Sequence, residues 1–292
     1  MHLGFIGFGE AAFELAAGLN EQGIEKMKAY DPLWNVPEYS ELVRSRAEVS
    51  HVTIVESSEE VLKDVEAVIV AVPADKALEV SAQLMSHVKK ESVYIDVSAA
   101  NPDVKKQISS NINKCGGKFV DAAMMGPLPV YKHRVPFLVS GDGSDIFIEM
   151  MSLYGMNIEK VSEMPGEATA AKLIRSIYMK GIVGLYIELL EAAHHFNVEK
   201  LVIDSLSETI NGRKFEETMN RLVTGTALHA TRRSIELGGT IDMLESATLD
   251  SSMSKVAKAK IEKLVLLNLK EKYHGEKPEH WRQVIEALKV TT

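Results

Sequence analysis

Three groups of residues have types and spacings that could do chemistry. The first is "GFIGFGEAA", residues 4–12, where Gly7, Gly9 and Ala12 fit G-x-G-x-x-G/A. Such a turn serves a dinucleotide. Gly7 allows the tight bend, Gly9 leaves room for a pyrophosphate against the backbone, and Ala12 lets the helix pack close to the strand. Phe8, Glu10 and Ala11 complete the turn and the first helical residues, whose free N–H groups sit at the positive end of the helix. An acid stands at the expected distance, Asp31, 22 residues after Gly9. Its carboxylate can accept both ribose hydroxyls and would repel a 2′-phosphate, which favours NAD and leaves NADP as the alternative.

The second group lies in two loops that follow apolar runs. "VAVPAD" ends a fourth β-rich segment, and Val72, Pro73 and Ala74 are expected beside the nicotinamide ribose. "DVSAANP" follows a fifth, with Ser98 as its hydroxyl. Ser98 either contacts a substrate carboxylate or makes local backbone bonds on the way into a helix.

The third group is a polar stripe on an apolar helix, "EATAAKLIRSIYMKGIVGLYIELLEAA". Lys172, Arg175 and Ser176 are spaced i, i+3, i+4 and share one face, with Lys180 at its edge. Unpaired cations are costly to bury, so the stripe faces solvent, pairs with acids or lines a cleft that takes an anion. In a cleft, a neighbouring cation disfavours the charged lysine and brings it toward proton transfer, while Arg175 can hold a carboxylate or phosphate on two prongs. A hydride acceptor, a proton-transferring lysine and an anion clamp together equip a site to oxidise a hydroxy acid.

The elements that must position these groups are legible in the first half of the chain. Short β-rich runs ("HLGFI", "MKAYD", "HVTIV", "EAVIVAVPA", "SVYIDVS", "KFVDAAMMGP", "VPFLVSGDG") alternate with helix-forming stretches. Ser57 and Glu60 are spaced as a capping box, and Asn101 followed by Pro102 reads as an N-cap and first helical residue. Continuous apolar strands alternating with helices predict an α/β, doubly wound Rossmann domain. After "SEMPGEA" nearly everything reads as helix. The boundary is therefore drawn at Pro165: residues 1–164 form the dinucleotide-binding domain and 165–292 an all-α domain. Its long first helix, being mostly apolar, is expected to be largely buried.

Composition bounds the class. The 292 residues are 46% hydrophobic and 25% charged, with a formal net charge of −8. That balance argues against nucleic-acid binding and says little about small anions, which a local basic pocket can hold. Glu10 and Glu14 interrupt the apolar start, so it does not read as an export signal. No run reaches about 18 uncharged apolar residues, so no membrane span is expected. Cys115 is the single cysteine and suits a reducing cytoplasm. The histidines lack paired carboxylates at ligand intervals, so no metal site is expected. His194 and His195 read as charge at a helix C-terminus. His229 shares a helical face with Arg232 and Arg233 in "LHATRR"; His229 and Arg233 either close a pocket over an anion or form an exposed basic turn.

"GFIGFGEAA", "VDAAMMGP" at 120–127 and "GEATAAKLIRS" at 166–176 together resemble the β-hydroxyacid dehydrogenases, including 6-phosphogluconate and 3-hydroxyisobutyrate dehydrogenases. "KLIRSIYMKG" and "LHATRRSIE" look like a branch of that family with a C-terminal domain of unknown function. The resemblance runs through the whole chain. It implies a Rossmann domain, an all-α domain, a homodimer built through the helices, and a small anionic substrate. It also implies that Lys172 is the catalytic lysine, and that Ser98 with Ala99, in the place of the family's D-x-S-T loop, contacts substrate. Two departures touch the substrate pocket. Ser176 stands where the family has asparagine, and Met125, Gly126 and Pro127 replace a glycine pair. The family's known substrates are therefore not carried over. The expected function is an NAD(P)-dependent dehydrogenase or reductase of a small β-hydroxy acid or its oxo form. Imine reductase-like C=N reduction and non-catalytic NAD(P) sensing are the alternatives.

Overall fold

A computed structural model describes residues 1–289. The chain divides into two compact units, Met1–Ile177 and Tyr178–Thr292. The first unit thus keeps the opening turns of the long helix, past the change in sequence texture at Pro165.

In the first unit the chain runs β1 (His2–Ile6), α1 (Glu10–Glu21), β2 (Lys26–Tyr30), α2 (Pro37–Val49), β3 (Thr53–Ile54), α3 (Ser58–Leu62) and β4 (Ala67–Val70). It continues through α4 (Ala77–Leu84), β5 (Val93–Asp96), α5 (Pro102–Lys114), β6 (Lys118–Met124), α6 (Leu128–Tyr131), β7 (Phe137–Ser140), α7 (Ser144–Ser152), β8 (Ile158–Ser162) and the start of α8 (Glu167–His195). The local signals explain many of these ends. Ser57 Oγ accepts the Glu60 N–H and starts α3, and Asn101 Oδ1 accepts the Asp103 and Val104 N–H groups and starts α5. Gly23, at φ +94°, closes the end of α1.

The eight strands form one sheet in the order β3-β2-β1-β4-β5-β6-β7-β8. Strands β1 to β6 pair in parallel, as the alternating pattern predicts, and β7 runs antiparallel to β6. The reversal has a local cause. Residues 125–136 form only the single turn α6 and a 3₁₀ turn at Lys132–Arg134, without the helical crossover a parallel return uses. One face of the sheet packs Leu3, Phe5, Ile69, Ile95 and Phe137 against α1 and α7. The other packs Val68, Val70, Tyr94 and Phe119 with Ile108 and Ile112 of α5.

The second unit holds the rest of α8, then α9 (Glu199–Asn211), α10 (Phe215–Leu228), α11 (Ala230–Ser246), α12 (Ser252–Leu266), α13 (Leu269–Lys272) and α14 (Trp281–Lys289). The buried Glu188 carboxylate accepts the Met253 and Ser254 N–H groups at 2.7 and 2.9 Å and caps α12. The expectation that α8 is largely buried is not met in the single chain: Val183 is 53% exposed and Ile187 62%. The helix is apolar on more sides than its neighbours within one chain cover. Among the described residues no helix is long and apolar enough to cross a membrane.

Candidate functional site

The last row of the sheet sets the geometry. Tyr30, Ile6, Val70, Asp96, Asp121 and Ser140 lie side by side in register. Each loop singled out in the first five strands leaves from this row or the residue beyond it. The strand order reverses between β1 and β4, so the crevice opens at the carboxyl ends, where a doubly wound sheet binds its ligand.

The hollow at the reversal measures about 530 Å³. Gly7, Gly9, Asp31, Val72 and Pro73 line it, and so do Ser58, Lys76 and Glu79, which the sequence reading did not name. Gly7 has φ +82°, and a Cβ there would sit 2.4 Å from the Ala71 carbonyl oxygen. A side chain at Gly9 would meet nothing within 4 Å and would fill the open crevice instead. Gly9 supplies no side-chain cap to α1, so the N–H groups of Glu10 and Ala11 lack an intrahelical partner at the crevice. Ala12 is fully buried between helix and sheet. A dinucleotide diphosphate fits this arrangement: space at Gly9, unpaired donors behind it, and a positive helix end.

Asp31 does more than wait for a ribose. Its Oδ2 accepts the Phe8 N–H at 2.6 Å and its Oδ1 accepts the Leu33 N–H at 2.9 Å. The carboxylate therefore holds the glycine turn in shape. Two of its roughly four lone-pair sites remain for hydroxyls. Phe8 contributes that N–H, while its ring is buried against Phe5. Ala74 follows Pro73 in the loop after β4, exposed.

On the far side of the crevice lies a buried ionic cluster. The Lys105 ammonium, fully enclosed, stands 3.2 Å from Asp96 Oδ2 and 3.3 Å from Asp121 Oδ1. It also donates to the backbone carbonyls of Asp96 at 3.1 Å and Ser98 at 2.9 Å. Asp96 Oδ1 accepts the Ser98 N–H at 2.8 Å. Ser98 is thus gripped by its backbone, and its Oγ accepts a long 3.4 Å bond from the Ala100 N–H. Ala99 beside it is exposed. Burial, then the Asp96 charge, pushes the Tyr94 hydroxyl well above the usual phenol range, so it stays neutral on the same face.

Asp121 carries the cluster to α8. Its Oδ1 accepts the Thr169 hydroxyl at 2.6 Å and its Oδ2 accepts the Thr169 N–H at 2.9 Å. Ser140 Oγ accepts the Ala168 N–H at 3.1 Å. Gly166, at φ +95°, permits the close approach, since a Cβ there would lie 2.6 Å from the Pro102 carbonyl oxygen. Lys172 follows Ala168 and Thr169 at i+4 and i+3, on the docked face, and is half-buried.

The remaining candidates divide. Met125 and Gly126 follow β6, where the Met125 N–H bonds the Pro136 carbonyl at 2.8 Å. Arg175 is exposed one turn past Lys172, and the Ser176 hydroxyl bonds back to the Lys172 carbonyl at 3.1 Å. His229 and Arg233 belong to the second unit. There His229 joins α10 to α11, and Arg233 folds back onto the Thr226 hydroxyl. His194 pairs with Glu199 at 2.7 Å. Lys105, Asp96 and Asp121 are the residues that sequence reasoning missed. The available signal was the stripe Lys105, Ile108, Ile112, which puts a lysine on the buried face of α5.

Known proteins share this architecture. Residues 2–148 match the family described as the NAD binding domain of 6-phosphogluconate dehydrogenase, and residues 193–264 match a domain of unknown function (DUF1932). The solved structure of a conserved hypothetical protein from Sinorhizobium meliloti 1021 is 31% identical, covers 99% of this chain and 95% of that one, and superposes with a TM-score of 0.62. A conserved protein of unknown function, described as structurally similar to 3-hydroxyacid dehydrogenases, is 33% identical over 90% of this chain and 96% of that one, with a TM-score of 0.62. An imine reductase from Myxococcus stipitatus, solved with NADP+, shares the fold at 14% identity over 96% and 98% of the two chains, with a TM-score of 0.70. The glycine turn, its acid and the helix that follows all lie within the matched NAD-binding region, and the chain belongs to the family of NAD(P)-dependent oxidoreductases built on the 6-phosphogluconate dehydrogenase NAD-binding domain.

Proposed function

We propose that this chain oxidises a small β-hydroxy acid, or reduces its oxo form, with Lys172 as general acid–base. One observation supports the reading: the first turn of α8 docks on Ser140 and Asp121 through Ala168 and Thr169, and Lys172 follows one turn later on the same helix. NAD(P), when bound, supplies the hydride acceptor or donor. Lys172 takes the hydroxyl proton as the carbonyl forms, or returns it in reduction. Ser98 and Arg175 hold the acid group, with Ala99, Met125, Gly126 and Ser176 shaping the pocket.

NAD is the preferred cofactor in this reading. Asp31 keeps a carboxylate at the crevice beside Pro32 and Leu33, neither of which offers a cation to a 2′-phosphate. Lys76 lines the same crevice and pairs with Glu79 at 3.2 Å. The working form is a homodimer in the cytoplasm, with a second copy covering the apolar faces that α8 and its neighbours leave open.

The test is a panel of hydroxy acids and aldehyde acids with each cofactor, read at the nicotinamide absorbance, followed by Lys172→Ala. The variant is expected to lose about 100-fold or more of turnover and to keep cofactor affinity. Unchanged turnover removes Lys172 from the chemistry. Reduction of cyclic imines in place of acids replaces the reading with C=N reduction. Tight NADH binding without turnover on either panel replaces it with a sensing role.

A further inference from the structure

The buried ionic cluster asks why a lysine occupies a place that an apolar residue would fill. Lys105 shares its stripe with Ile108 and Ile112, and all three are fully buried. The side chains of Asp96, Asp121 and Lys105 have lost their water together. Such a cluster is poor evidence of stability, because apolar replacements of similar volume often do as well. It does confer fixed geometry. The ammonium has three protons and four oxygens within 3.3 Å, contributed by the end of β5, the Ser98 loop and β6. Asp121 meets the positive N-terminus of α8 through the Thr169 N–H and hydroxyl.

The contacts form an unbroken chain. The Ser98 carbonyl accepts from Lys105, Lys105 pairs with Asp121, and Asp121 holds the first turn of α8. Ser98 and Lys172 stand at its two ends, the second one turn past Thr169. We infer that Lys105 is a positioning residue, which sets the Ser98 loop and the opening turn of α8 in one fixed relation through Asp121. It touches neither cofactor nor substrate. The coupling is a property of the fold; its catalytic meaning rests on the function proposed above.

Amide hydrogen exchange on the full chain separates the two. In Lys105→Met, the amides of Ser98, Ala100, Ala168 and Thr169 are expected to exchange at least about tenfold faster, with the amides of β1 and Gly7 unchanged and NADH affinity within about twofold. Lys105→Arg, which keeps a cation with several donors, is expected to restore most of the protection. Should Lys105→Met fail to fold, Thr169→Val approaches from the other end. It deletes one hydroxyl bond to Asp121 and is expected to speed exchange at Ser98, across the cluster, about threefold or more. Unchanged exchange at Ser98 in Thr169→Val overturns the coupling. Uniform loosening that includes β1 overturns it too, since it would make Lys105 a core residue with no special reach. With an active substrate from the panel, Lys105→Met is expected to lower kcat about tenfold or more with KM for NADH unchanged. A chain with no turnover on either panel, but with the exchange pattern above, would retain the coupling and lose only the proposed reaction.

Discussion

The two units treat apolar surface in opposite ways. In the first, both faces of the sheet are covered by helices, and Leu3, Phe5, Ile69, Ile95 and Phe119 are essentially dry. Its buried lysine, Lys105, is paired with Asp96 and Asp121. In the second, the small buried cluster of Ala227, Leu269, Val284 and Ala287 is matched by large exposed side chains, with Leu201 at 71%. A hollow of about 410 Å³ beside Leu185, Leu189 and Phe196 is nearly all apolar. The contrast teaches that the sheet of the first unit has both faces covered within one chain, whereas the helical unit leaves much of its apolar surface open.

The largest effect should come from breaking the covered half. Gly7→Ala forces a positive φ on a side chain and drives its Cβ into the Ala71 carbonyl, a backbone atom that cannot step aside. We expect a loss of about 3 kcal/mol, read by denaturant unfolding of the first unit, together with NADH affinity at least tenfold weaker. Full stability and full affinity would mean that the turn is not tight. A middle-sized effect should separate the two copies of the proposed dimer. Ile187 lies one turn from Val183 and Leu190, all three exposed. Ile187→Glu should convert the dimer to a monomer in sedimentation while leaving NADH binding within about twofold. If the wild-type chain is already monomeric at micromolar concentration, the proposed dimer fails. The smallest effect belongs to Ser57→Ala, which removes the cap of α3. It should cost about 1 kcal/mol and show no dependence on protein concentration, because the bond it removes lies within one turn of a single chain.

What was legible in the sequence was local. Gly7, Gly9, Ala12 and Asp31 declare themselves because one turn's chemistry needs those types at that spacing. Ser57 and Asn101 do so because a cap is made within four residues. What was not legible depends on distance along the chain. The antiparallel β7 is a consequence of pairing across a short connection, which no run of residues announces. Asp31 serving the Phe8 N–H follows from β2 lying beside β1. Lys105 was hidden by a sound habit, reading a lysine on a polar-looking helix as solvated; only the positions of Ile108 and Ile112 speak against it. The exposure of α8 was misjudged because apolar composition reports that a helix is covered, and not whether its own chain does the covering.

The facing aspartates of β5 and β6 also bear on how the sheet assembles. Asp96 and Asp121 are partners in the ladder, and strand side chains alternate between faces. A slip of one place would turn the Asp121 carboxylate toward Phe137 and Phe147 and leave Val120 or Ala122 opposite the ammonium. That error would strand a charge among aromatic rings, so the wrong alignment carries its own penalty. Proofreading of the strand and docking of the long helix then use the same carboxylate, and α8 finds its seat only on a sheet whose β6 has been laid down in the right phase.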